Sequence, residues 1–224
     1  MRHPVRRTRT TLSFMWLALY GSDDERLVVR RGVDAQHRHV RSRPGDDVAY
    51  DAFDPELQLW VAACMYVGTL QGYETLYGRP EDVLADRLLR QCSRFATTLQ
   101  VAEHRWPQNV PEFDRYWSEA VSRVRFEEIT TRYLREFIDA KFLPRPLAAL
   151  VRPWHRLLVV GFLDSAFREA LGVQWSERDQ CRFDQCRAAL RWLNRSIPPV
   201  VASLPWNIVR FDTRRRLKRG RPLF

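Results

Sequence analysis

Apolar residues return every three or four positions along nearly the whole chain, and they seldom alternate one-for-one with polar ones. That spacing is helical, because 3.6 residues make a turn, whereas a half-buried strand needs a period of two. No alternating run of β-branched residues stands between turn signals, so the pattern predicts an all-α protein of about eight to ten helices. A first apolar helix is expected over 10–20. "GSDDER" then starts a second, with Asp23 or Asp24 as N-cap, reaching about His39. "RSRPGDDVAY" reads as a loop in which the Asp46/Asp47 pair is solvated.

The next stretch, "DPELQLWVAACMYVG" at 54–68, has the strongest start signal in the chain. Asp54 is suited to cap, Pro55 to the first helical position and Glu56 to the positive end of the helix dipole. The helix should run to about Tyr77 and stop at Gly78. Leu57, Leu59, Trp60, Val61, Ala62 and Cys64 already cover all its sides, so it is expected to be buried all round, as the central helix.

An amphipathic helix follows in "PEDVLADRLLRQCSRFATTL", with Val83, Leu84, Leu88, Cys92, Phe95 and Leu99 on one side. "RWPQNVP" breaks the chain, and two further helices are expected in "EFDRYWSEAVSRV" and "TTRYLREFIDAKF". "LPRPLAALVRPW" reads as a proline-punctuated corner ahead of a buried helix that ends at Gly172. In "SERDQCRFDQCRAALRWLNRSI", Ser176 and Asp179 form a variant of the capping box. A last helix is expected over about 205–219.

Length and charge add organisation to this pattern. A chain of 224 residues is near the upper limit for one core, so one domain is expected over 10–209. The net charge of +10 sits at the ends: four arginines and no acid in 1–9, and seven basic residues against Asp212 in 210–221. The body is formally neutral. Absence of a basic stripe on the body argues against nucleic acid as a partner, because such domains carry their charge on the fold. The basic N-terminal end 1–9 and the Arg-rich tail 210–224 are read first as solvated, and second as a peripheral contact with anionic membrane.

The four cysteines form no CxxC pair and no metal-site spacing, which is the pattern of reduced thiols in a cytoplasmic protein. The apolar run near the start lacks a small-x-small cleavage site and is too short to span a bilayer. No GxGxxG, P-loop, GxSxG or HExxH occurs, and His37 and His39 would point apart on a helix. Periodicity alone stops at a helical domain without evident chemistry.

Six segments in order carry more. They are "RTRTTLSFMWLALYGSDDERLVVRRGVDAQHRHV", "YDAFDPELQLWVAACMYVGTLQGYE", "VPEFDRYW", "PRPLAALVRPWHRL", "VGFLDSAFREALGVQW" and "RRRLK". Together they resemble the MpaB / rubber-oxygenase (latex-clearing protein) family over nearly the whole chain. The resemblance implies an all-helical fold with a globin-like core, haem b as cofactor, and oxidation of a hydrophobic, isoprenoid-like substrate. The family's "HxxV" falls on His37 and Val40. Its "DPxLxxWVHA", whose histidine resembles a proximal iron ligand, reads "DPELQLWVAA" here, with Ala62 at the histidine position.

That departure divides the functional expectation. A methyl group cannot bind iron, and haem without its proximal nitrogen loses its main anchor. Met65 and Tyr66 share the face of position 62 and belong to known ligand types, and His37 is the other candidate metal ligand. Arg30 and Arg31 are candidates to pair with haem propionates, since guanidinium forks suit carboxylates. The expected function is therefore a haem-dependent oxygenase-like protein. The alternative is a catalytically silent relative that binds a lipid-like ligand, or a partner protein, without haem.

Overall fold

The computed structural model describes residues 4–43, 45 and 49–220, without the side chains of 4–7. The extremities of the two basic ends and the Asp46/Asp47 pair lie outside the described residues. Every regular element among the described residues is helical: α1 (Pro4–Tyr20), α2 (Asp23–His37), α3 (Pro55–Tyr77), α4 (Asp82–Thr98), α5 (Val110–Arg123), α6 (Glu128–Ile138), α7 (Arg145–Phe162), α8 (Ser165–Ala170), α9 (Glu177–Ser196), α10 (Pro199–Ala202) and α11 (Leu204–Lys218). The protein is all-α, with somewhat more helices than the pattern predicts.

Periodicity overlooks two short helices: α8, which begins at a side-chain cap, and α10, which begins at a proline. Asp164 accepts a hydrogen bond from the Ala166 amide at 2.9 Å, which ends one helix and begins α8 where a continuous helix to Gly172 is expected. The expected corner at 143–154 is instead the first half of α7, with Pro153 inside the helix. Proline lacks one amide donor, yet its neighbours hold the helix through it. At α2 the cap is Ser22, not Asp23 or Asp24. Its hydroxyl accepts from the Glu25 amide while the Glu25 carboxylate accepts from the Ser22 amide, a complete capping box. Ser176 and Asp179 form the expected variant at α9.

The chain divides into two compact units. One comprises 2–72, 79–114 and 197–224. Its core holds Phe14, Leu17 and Ala18 of α1 against Leu89, Phe95 and Ala96 of α4. The exposed carbonyl end of α1 is closed by Arg94, whose guanidinium donates to the Leu19 carbonyl at 2.7 Å. The buried face of α4 runs through Leu89, Cys92, Phe95 and Leu99; Val83 and Leu84, expected on it, are exposed. Helix α11 lies on α1, with Thr213 fully buried and bonded to the Ser13 hydroxyl at 2.9 Å. The Arg-rich segment is thus a packed helix as far as Lys218, not a loose tail.

The other unit comprises 73–78 and 115–196, apart from the first residue of the chain. Ile138, Val160 and Leu171 form its centre, with Phe126, Leu134 and Trp175 packed around them. Helix α9 closes the C-terminal end of α3 within this unit. Arg191 donates to the Glu74 carbonyl at 2.9 Å, and Gly78 takes the left-handed conformation (φ 93°) that ends the helix. Gly161 lets α7 approach α9 closely: a Cβ there would lie 2.3 Å from the Phe183 ring.

Candidate functional site

The family-like motifs meet at the loop between α2 and α3. The chain turns back on itself over 40–52: Ser42 donates to the Tyr50 carbonyl at 2.7 Å and Ala52 to the Val40 carbonyl at 3.0 Å. The Gln58 side chain, buried on the first turn of α3, donates to the Ala52 carbonyl at 3.2 Å. These bonds set Phe53 edge-on against the His37 ring, with centroids 6.3 Å apart. His37 is the last residue of α2, half-buried, and its Nδ1 is buried with no hydrogen-bond partner among the described residues. Arg30 lies seven residues earlier, so it shares the side of α2 with His37. It is half-buried, whereas Arg31 is exposed and directed away from the Val29/Val33 core face.

Helix α3 has a core side and a solvent side. Leu59, Ala62, Ala63 and Tyr66 are buried, with Ala62 at 0% exposure. On the other side Val61 is 43% exposed, and Cys64, Gly68 and Gly72 continue that open stripe. The expectation of burial all round is therefore corrected. Apolar residues on every side made the helix look central, but small ones at 64, 68 and 72 leave little side chain to bury.

Around Ala62 the space is filled. The Tyr66 ring sits edge-on to Phe113 at 4.6 Å and to Trp106 at 6.3 Å. Trp106 is held in turn by its indole N–H donating to the Leu89 carbonyl at 3.1 Å. Such a cluster is close-packed, and a fully buried ring set edge-on against two others is not free to swing toward a metal. Cys92, also buried in this unit, has its thiol pushed up to about 12 by desolvation, so with no metal bound it stays protonated at neutral pH. No group of three or more His, Cys, Asp or Glu among the described residues is placed to hold a metal.

These residues do not fit haem. The α3 position that faces inward carries a methyl group, its one-turn neighbour Tyr66 is a core ring, and Cys64 is on the opposite side. His37 keeps a free buried nitrogen, but its ring lies against Phe53, two residues before α3, while Ala62 is seven residues beyond Pro55, about 10 Å along the axis. Neither His37 nor Ala62 lines any of the recesses described below.

A larger recess, of about 900 Å³, lies in the second unit between α7 and α9, walled by Pro153, Trp154, Leu157 and Trp175, with Arg156 and Arg182 at its polar edge. Its size is that of a small-molecule pocket. Trp175 is fixed by its indole N–H donating to Gln180 at 3.0 Å and by the Arg168 guanidinium over its ring at 5.3 Å. Asp179 also borders the recess, its carboxyl held below the usual range by the Ser176 hydroxyl and amide and further by the nearby Arg182 and Arg156. Arg156 pairs with Asp139 at 3.6 Å. Pro153, Trp154, Arg156 and Leu157 fall in the family-like segment "PRPLAALVRPWHRL" and Trp175 closes "VGFLDSAFREALGVQW", but the order of residues does not show that folding brings the two tryptophans together.

The comparisons agree with the order of motifs. Residues 1–192 match the family described as ER-bound oxygenase mpaB/B'/Rubber oxygenase, catalytic domain, and the chain belongs to that family. Uncharacterized proteins of Mycobacterium tuberculosis and Mycobacterium bovis are each 37% identical to it over 220 residues, covering 98% of this chain and 86% of theirs. No solved structure matches. No helix among the described residues is long and apolar enough to cross a membrane.

Proposed function

We propose that this chain is a haem-free member of its oxygenase family that holds a hydrophobic small molecule in the recess between α7 and α9. The observation that carries the reading is Ala62: fully buried, unable to donate, and placed where the family pattern has its histidine. The family name points to oxygenase chemistry on hydrophobic substrates such as rubber. A recess walled by Trp154, Trp175 and Leu157 suits such a molecule, and Arg156 and Arg182 suit a polar or anionic end on it. Without an iron ligand on α3 the oxidative step has no anchor, and binding is what remains.

Two measurements test this. Protein made in haem-supplied cells is scanned for a Soret band and titrated with haem, and farnesol is titrated against tryptophan fluorescence. The expected result is no saturable haem binding, with a saturable farnesol response that Trp154→Ala removes. A Soret band that disappears in His37→Ala overturns the haem-free reading, since the partnerless His37 Nδ1 is the group that would carry it. A flat farnesol titration overturns the ligand and its site.

A further inference from the structure

Helix α11 has two apolar sides, and only one of them is used in the fold. Thr213 and its neighbours face α1. On the opposite side Leu204, Ile208 and Phe211 follow one another at intervals of four and three, so they form a single row. Ile208 is 66% exposed and Phe211 68% exposed. Val200 and Val201 on α10 prolong the row and are exposed too. A contiguous exposed row of this kind marks a surface that meets another apolar phase.

Among the described residues, the unpaired charge around the row is positive. Arg215 and Lys218 continue it toward the end of the helix, and Arg210 and Arg214 flank it. The one acid in the helix sequence, Asp212, lies on the other flank and is paired with Arg216 at 3.5 Å. Arg210 and Arg214, one turn apart, border a recess of about 430 Å³ with Trp16, Tyr20, Trp206 and Asn207. The Arg214 guanidinium stacks over Trp16 at 5.2 Å, which holds the fork at the edge of the recess.

We infer that α10 and α11 form a docking face for an anionic phospholipid bilayer. The row from Val200 to Phe211 enters the boundary between headgroups and acyl chains, and the Arg210/Arg214 recess takes a lipid phosphate. A helix lying in the interface needs an apolar face, basic flanks and aromatic rings at headgroup level, and this region has all three. Guanidinium forks match phosphate oxygens in pairs. The helix is already folded on α1, so binding spends little on ordering it. A second copy of the chain is a poorer occupant, since a self-paired contact would bring two such clusters of cations together. The inference is independent of what the α7–α9 recess binds.

Cosedimentation with phosphatidylcholine vesicles, with and without phosphatidylserine, tests it on the full chain. Wild type should bind the phosphatidylserine vesicles, and binding should fall as salt shortens the Debye length. Ile208→Ser/Phe211→Ser leaves the charge unchanged and alters two exposed side chains, so the melting temperature should hold while binding falls about tenfold or more. Arg210→Gln/Arg214→Gln should lose about fivefold per arginine. The control pair Arg87→Gln/Arg90→Gln, exposed on α4, should lose far less. Equal binding by wild type and the serine variant overturns insertion of the row. Equal losses for the two arginine pairs overturn the phosphate recess. A wild type that ignores vesicles but is a dimer by light scattering, and a monomer in the serine variant, overturns the bilayer in favour of self-association.

Discussion

The α2–α3 region and the α7–α9 region carry opposite mixtures of motif and space. The first keeps "HRHV" and "DPELQLWVAA" almost intact and fills the inside of α3 with Ala62, Tyr66, Trp106 and Phe113. The second overlaps the family-like segments "PRPLAALVRPWHRL" and "VGFLDSAFREALGVQW", neither of which holds one of the candidate iron ligands, and it opens a recess of about 900 Å³ beside two tryptophans. A sequence motif can outlive the site it once framed, because its aspartate and proline still start a helix and its apolar residues still pack. A recess needs only that side chains on separate elements stop short of one another. The proposed function therefore follows the space.

The contrast is tested hardest at Tyr66. As a core ring it should cost about 3–5 kcal/mol when replaced by alanine, measured by urea denaturation. A loss below about 1 kcal/mol would mean that the ring borders a cavity, and the haem question would reopen. Next come two substitutions that add atoms. Ala62→His places an imidazole in filled space and should cost about 1–3 kcal/mol without gaining haem. If it instead binds haem at no cost in stability, the inside of α3 is roomier than the rings around Tyr66 allow. Gly161→Ala should cost a similar amount, about 1–3 kcal/mol, since its new methyl meets Phe183; an unchanged melting temperature would show that α7 and α9 are not held close.

A smaller effect is expected from pH. The buried Cys92 thiol stands at about 12 in the folded state, above its ordinary value near 8.5 in an unfolded chain. Its protonated form is favoured by folding, so this contribution is intact below about pH 8.5 and is eroded as pH rises toward the folded value. The slope is at most about 1.4 kcal/mol per pH unit for one group, and Cys92→Ala should flatten it. An unchanged slope in that variant would place the titration elsewhere. Least affected in stability is Trp154→Ala. That ring is 64% exposed, so the cost should stay within about 0.5 kcal/mol while ligand binding is lost. A large loss of stability there would make Trp154 part of the core and remove its claim to the recess.

Much of the helical architecture is legible from local signals. Asp54, Pro55 and Gly78 bound α3 where their chemistry says they should, and Asp179 returns the Ser176 hydrogen bond at the start of α9. Local signals compete where the sequence is ambiguous: Ser22 wins over Asp23 because its hydroxyl reaches the Glu25 amide, and Pro153 stays inside α7 because its neighbours hold the helix. Of the candidate site residues, His37, Arg30 and Ala62 are found through resemblance, and periodicity alone would have passed over them. Trp154, Trp175, Trp16 and Arg214 leave no trace of their grouping, since nothing in the order of residues says which helices will lie side by side.

By itself the sequence determined the helical class, most helix limits, the family, and that position 62 carries a methyl group and no iron ligand. These are properties of spacing and residue identity, and they are present before the chain folds. Tertiary structure alone decided that Ala62 faces a filled interior, that Cys64 faces out, that the last helix packs on α1 through Thr213, and that an apolar row on α11 is left uncovered. The physical reason is that burial belongs to pairs of surfaces. A helix pattern states which residues could be covered, and only the neighbours it meets in the fold settle which of them are.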